Sequence, residues 1–192
     1  MKQNLLILIL SILLIALIAV AALAYTSLSE NYVPNDQLPA KTTDGSPAVT
    51  EEIKKAPSFT MTDADGNEVQ LSDFFGKPIV INFWATWCGP CKSELPAFDA
   101  AYAKYGEDVQ FIMLNLTDGY SDTVAGVQKF VADGGYSFPV YYDTKMDGVN
   151  TYGAYSIPLT VFIDESGSVT YRKVGVISEA ALTRNLEALI EK

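Results

Sequence analysis

The sequence predicts an α/β domain over residues 58–192, a mixed sheet with helices on both faces. Three observations carry this. Two short, nearly continuous apolar runs, 78–84 (PIVINFW) and 109–116 (VQFIMLNL), have the length and content of strands buried on both faces. A stretch of helical periodicity follows each run. Two further pairs of strand-like runs flank turn signals at 65–67 and 164–167, the mark of hairpins. Strand–helix–strand units closed by a hairpin and a last helix give a mixed sheet covered on both sides.

In chain order, Phe59–Thr62 and Glu68–Leu71 are expected to form an N-terminal β-hairpin about Asp65-Gly66-Asn67. Ser72-Asp73 starts a short helical turn that ends at Gly76. The strand at 78–84 leads into a helix from Cys88 to Tyr105, with Leu95, Phe98, Ala101, Tyr102 and Tyr105 on one face. Pro96 lies inside it and is expected to kink it, because its ring removes one backbone donor. After the strand at 109–116, a helix over 122–133 turns Val124, Val127, Phe130 and Val131 inward. Phe138–Tyr142 reads as a strand and 145–153 as a short helix or loop. Leu159–Ile163 and Val169–Val174 form the second hairpin. A final helix over 178–191 groups Ala181, Leu182, Leu186, Leu189 and Ile190.

The segment before this domain has a different character. Residues 5–24 contain one polar residue, Ser11, and a helix of twenty residues spans about 30 Å, the thickness of a bilayer core. Residues 1–24 therefore read as an N-terminal membrane anchor, a single transmembrane helix with Lys2 on the cytoplasmic side. Ala22-Leu23-Ala24 also fits a cleavage site, although the apolar run exceeds the usual signal core. Either way the rest of the chain is exported. Residues 25–57 hold Pro34, Pro39, Pro47 and Pro57 and a Thr-Thr-Asp-Gly-Ser run, which reads as a flexible linker with a span of about 30–35 Å.

Composition narrows the chemistry. The 192 residues include 13 basic and 23 acidic side chains, two cysteines and no histidine, for a net charge of −10. Without histidine there is no Ser-His-Asp triad, no Cys-His pair and no His-ligated metal. The acidic balance argues against nucleic acid and against an anionic lipid surface as a partner.

Both cysteines fall in one motif, Trp87-Cys88-Gly89-Pro90-Cys91, between a buried strand and a helix N-terminus. A structural crosslink there would close a very small loop and gain little. A metal would have to complete its shell with carboxylates, which match soft thiolates poorly. Redox chemistry suits the position. Cys88, at the helix N-terminus, is the expected nucleophile, since unpaired N–H groups and the helix dipole favour its thiolate. Cys91, deeper on the same face, is the expected resolving thiol. Gly89 admits close approach of a substrate backbone, and Pro90 fixes φ where a missing N–H costs nothing. Trp87 either walls the site or packs in the core, and the two are compatible. No cofactor is needed beyond the redox-active Cys88–Cys91 disulfide.

FWATWCGPC at 83–91, with Ile157-Pro158 downstream, resembles the thioredoxin superfamily. Further features make the chain similar to the membrane-tethered TlpA/ResA-like thiol-disulfide oxidoreductases. These are Ala56-Pro57-Ser58-Phe59, Leu71-Ser72-Asp73 with Gly76-Lys77-Pro78, Glu94-Leu95-Pro96, and Tyr152-Gly153 before Ile157-Pro158. The resemblance covers residues 56–192 and implies a thioredoxin fold. It also implies a cis-proline at Pro158, substrate-pairing backbone groups at Ile157, and an active-site acid at Glu94 able to exchange a proton with Cys91. Asn82 stands where thioredoxin has a buried Asp, so it cannot take part in proton transfer. Pro158-Leu159-Thr160 departs from the family's frequent Pro-Thr-Thr, and Gly89-Pro90 replaces the Glu that many relatives place between the cysteines.

The implied activity is reduction of disulfides in client proteins outside the cytoplasm, with a membrane electron relay of CcdA/DsbD type and a possible place in cytochrome c maturation. A disulfide-donating oxidase and a redox-gated binding module without turnover are the alternatives.

Overall fold

The structure, a computed structural model, describes residues 55–191. The expected anchor at 1–24 and linker residues 25–54 lie outside the described residues. Among the described residues no helix is long and apolar enough to cross a membrane. Packed structure includes the end of the expected linker, since Lys55 bridges Ser168 and the buried Ala56 donates its N–H to the Gly167 carbonyl at 2.8 Å.

Seven strands form one sheet: β1 (Thr60–Thr62), β2 (Glu68–Gln70), β3 (Ile79–Trp84), β4 (Gln110–Asn115), β5 (Val140–Tyr142), β6 (Leu159–Ile163) and β7 (Val169–Val174). Their spatial order is β2-β1-β5-β4-β3-β6-β7. β3 runs parallel to β4, and β4 to β5; β6 and β7 are antiparallel on one side, β1 and β2 on the other. The helices are α1 (Gly89–Tyr105), α2 (Val124–Gly134), α3 (Asp147–Tyr152) and α4 (Glu179–Ile190), with a 3₁₀ turn at Leu71–Phe74. This is a thioredoxin fold with a mixed sheet and helices on both faces.

The apolar run of β3 explains its central place, because all six of its residues are buried. Alternate residues serve two cores. Val80 and Trp84 join Leu95 and Phe98 of α1, Val127 of α2 and Leu182 and Leu186 of α4 on one face. Ile79, Ile81 and Phe83 join Phe59, Leu71, Leu114 and Val149 of α3 on the other. Polar–apolar alternation would have put one of these faces in water.

Each helix begins where side-chain chemistry allows. Thr123 caps α2 by accepting from the Gly126 N–H, and Ser178 caps α4 by accepting from the Ala181 N–H. α2 therefore starts two residues later than the periodicity suggests, because Asp122 faces inward at a different task. α1 continues through Pro96, which is exposed and costs the helix one donor. The expected α4 face is corrected at one place. Leu182, Leu186 and Leu189 are buried, but Ile190, the last residue of the helix, is exposed.

The topology collects functional loops at one edge. The C-terminal ends of parallel β3 and β4 coincide with the start of antiparallel β6 and the end of β7. Loops 85–88, 116–123, 153–158 and 175–177 therefore share that edge. Strand order also reverses at β3, with β4 and β5 to one side and β6 and β7 to the other, and such a switch point is where α/β sheets open a crevice.

Candidate active site

At the end of β3, Ala85-Thr86-Trp87 leads the chain into α1, and Cys88 is the residue that caps the helix. Its sulfur accepts the Cys91 N–H at 3.2 Å, and its carbonyl accepts the Lys92 N–H at 3.1 Å, the first turn of the helix. Cys88 and Cys91 are joined as a disulfide. Cys88 is 5% exposed and Cys91 fully buried, so only the first sulfur can be approached from solvent. A thiolate at this cap meets the same N–H donor and the positive end of the helix dipole.

The loop opposite brings Ile157-Pro158, joined by a cis peptide bond. The Ile157 carbonyl oxygen lies 3.9 Å from Cys88 Sγ, and the Pro158 carbonyl accepts the Gly175 N–H at 2.8 Å. Pro158 is buried and Ile157 half-buried. Gly89 and Pro90 are exposed at the helix start, and the space where a Cβ on Gly89 would sit is open. Trp87 is 57% exposed, so it stands at the rim and not in the core.

Glu94 is only 2% exposed and faces the sheet, one helical turn beyond Cys91. Its carboxylate accepts the Asn82 side-chain amide at 2.8 Å and the Ile177 backbone N–H at 2.9 Å. Burial holds its carboxyl above the usual carboxylate range, against the lowering effect of the two hydrogen bonds. A solvated helix-face glutamate is thereby excluded. Asn82 spans two strands, since its amide also donates to Thr160 Oγ1 at 3.2 Å from the neighbouring position on β6. Its own Oδ1 is buried with no partner. A protonated Glu94 could use that oxygen as an acceptor once the amide turns over.

A second buried carboxylate was not foreseen from the sequence. Asp122, 3% exposed, accepts the Thr86 N–H at 2.8 Å, the Thr86 hydroxyl, and the Asn115 side-chain amide at 2.9 Å. It ties the loop after β4 to the segment that enters Cys88. The adjacent Asp118 Oδ1 accepts the N–H groups of Tyr120, Ser121 and Asp122 at 2.7–3.1 Å, which fixes the loop's shape. The Asp118–Asp122 spacing within a turn-rich run was the available signal, but it reads equally as solvated loop. Asp122 thus holds the segment that enters Cys88, and Glu94 lies one helical turn beyond Cys91. Among the described residues no group of His, Cys, Asp and Glu could hold a metal ion.

When oxidised, this arrangement can take the attack of an arriving thiolate on the Cys88 sulfur, and when reduced, its Cys88 thiolate can attack an arriving disulfide, beside a backbone carbonyl able to pair with an extended chain. The redoxin family model matches residues 51–190. The thiol-disulfide oxidoreductase ResA of Bacillus thuringiensis (strain Al Hakam) is 37% identical over 123 residues, 64% of this chain and 69% of its own. Among solved structures, a Chlorobium tepidum protein assigned as the thiol:disulfide interchange protein DsbE aligns with a TM-score of 0.63 and 32% identity, covering 71% of this chain and 95% of that one. StoA of Bacillus subtilis aligns with a TM-score of 0.59 and 25% identity, covering 68% and 96%. These matches show that the chain belongs to the redoxin family as a thiol-disulfide oxidoreductase of ResA type.

Proposed function

We propose that this oxidoreductase works outside the cytoplasm, held to the membrane by residues 1–24, and reduces disulfides in client proteins, with cytochrome c maturation as the setting. The observation that carries the reductive direction is the Cys-Gly-Pro-Cys pair itself, whose Gly89-Pro90 dipeptide is that of low-potential thioredoxin, about −270 mV. The apolar run at 5–24 supports the anchor, and the resemblance to tethered relatives supports the location.

In the forward step, the Cys88 thiolate attacks one sulfur of the client disulfide, and the other client sulfur leaves as a thiolate. Cys91 then gives up its proton, attacks Cys88 Sγ, and releases the first client sulfur. The client gains two electrons and the protein ends as the Cys88–Cys91 disulfide. Glu94 takes the Cys91 proton, being one turn away, and burial raises its carboxyl's affinity for a proton. Ile157 pairs its backbone with an extended client segment, Pro158 sets that loop against the sulfurs, and Trp87 with Gly89 and Pro90 forms the open wall. A dithiol relay of CcdA/DsbD type returns the electrons.

The test is a trap. Cys91→Ser in cells accumulates client proteins as mixed disulfides on Cys88, released by dithiothreitol, and Cys88→Ser in the same background removes them. Equal recovery with and without Cys88 would sink the assignment of roles.

A further inference from the structure

We infer that the loop 118–123 after β4 belongs to the client-docking surface, and that Tyr120 selects client segments carrying apolar or aromatic residues beside their cysteine. This rests on the reading that the domain reduces protein disulfides.

Three large side chains stand out among the described residues by exposure: Tyr120 at 95%, Tyr155 at 76% and Trp87 at 57%. Each sits on a different loop, and all three loops share the sheet edge that carries the disulfide. Each is also at most two residues from a group that touches the segment 86–88. Trp87 adjoins Cys88 itself. Tyr155 is two residues before Ile157, whose carbonyl lies 3.9 Å from Cys88 Sγ. Tyr120 is two residues before Asp122, whose carboxylate grips both the N–H and the hydroxyl of Thr86.

Tyr120 is not presented by a slack loop. Asp118 accepts its N–H at 2.8 Å, the Gly119 N–H donates to the Asp122 carbonyl at 2.9 Å, and Gly119 takes a φ of +76° to allow the turn. A preset aromatic offers large contact area at little cost in side-chain freedom, which is how recognition surfaces use tyrosine. No packing role accounts for a side chain 95% exposed on a loop so tightly tied.

The occupant is an extended segment of a client protein. The three aromatics lie on the loops of the sheet edge that carries the disulfide, and Cys88 is the more exposed of its two cysteines, so a chain that delivers a disulfide to Cys88 passes over that edge. Residues 58–192 carry 18 acidic and 9 basic side chains, a balance that repels anionic lipid and a second copy of the same domain.

The experiment compares Tyr120→Ser with the full-length wild type on two disulfide-linked peptides of equal length and charge. One has Phe and Leu flanking the cysteine, the other Ser and Gly; 2-hydroxyethyl disulfide is the third substrate. The wild type is expected to show a KM roughly three- to ten-fold lower for the apolar peptide, with similar kcat for both. Y120S loses that preference, while its reduction potential stays at the wild-type value. Equal KM values for both peptides in the wild type, or a preference unaltered in Y120S, overturn the inference. So does a Y120S effect confined to self-association or to binding of phosphatidylcholine–phosphatidylglycerol vesicles, which assigns the patch to a second copy or to lipid. A wild type that reduces none of the three substrates overturns the underlying function and the inference with it, whereas equal reduction of all three leaves the function standing alone.

Discussion

Replacing Asp122 by Ala exposes how the cysteine loop is held. The carboxylate is buried, and its two oxygens receive the Thr86 N–H at 2.8 Å, the Thr86 hydroxyl and the Asn115 amide at 2.9 Å. Alanine leaves all three donors without an acceptor. Each buried donor stranded in this way costs about 1–3 kcal/mol. Two effects trim the sum: Thr86 is half-buried and recovers water, and removal of a desolvated charge returns part of its burial cost. The net expectation is a loss of about 2–4 kcal/mol, a large share of the 5–15 kcal/mol typical of a domain. Urea unfolding of the oxidised protein reads this as a fall in midpoint of about 1–2 M at an ordinary slope. Asp122→Asn keeps the shape and one acceptor, and should fall between alanine and wild type. A D122A midpoint within about 0.3 M of wild type would refute the role of this carboxylate in holding the Thr86 segment.

Three further outcomes are expected. Burial raises the folded-state pKa of Glu94 above its unfolded value, so the folded form holds its proton more tightly and wild-type stability falls as pH rises through the raised pKa. Glu94→Gln removes that titration, so the two proteins should match at acidic pH and diverge towards neutrality in favour of the variant; parallel melting curves from pH 4 to 8 would contradict the assignment. Equilibration against glutathione or dithiothreitol buffers should place the Cys88–Cys91 couple below about −200 mV, and a value above about −150 mV would favour a disulfide-donating oxidase. Leu186→Ala, in the fully buried seam between α4 and the sheet, should cost about 2–5 kcal/mol in the same urea assay without changing that potential, and a loss under 1 kcal/mol would mean the seam collapses freely.

The two apolar runs, the turn signals and the helical periodicities were enough to place the strands and the longer helices, because a central strand buried on both faces has no polar alternative. Boundaries were less legible. The start of α2 depended on whether Asp122 or Thr123 served as cap, and that choice was settled by Thr86, thirty-six residues away. Cys88 and Cys91 could be read directly, since their chemistry lies in a local spacing at a helix start. Glu94 was legible only as a candidate: helical spacing put it near Cys91, but whether that face meets water or the sheet depends on β3 and on the loop after β7.

Local chemistry alone therefore determined the redox pair and the strand–helix pattern that carries it. Tertiary structure decided everything built from distant pieces. It brought Asn82 and Ile177 onto Glu94, Asp122 onto Thr86, and Ile157 beside Cys88, and it left Trp87, Tyr120 and Tyr155 exposed on loops of one sheet edge. The physical reason is that a lone carboxylate or tyrosine has the same local preferences whether buried or solvated. Only the partners supplied by the rest of the chain distinguish a clamp from a surface charge, or a docking contact from an idle ring.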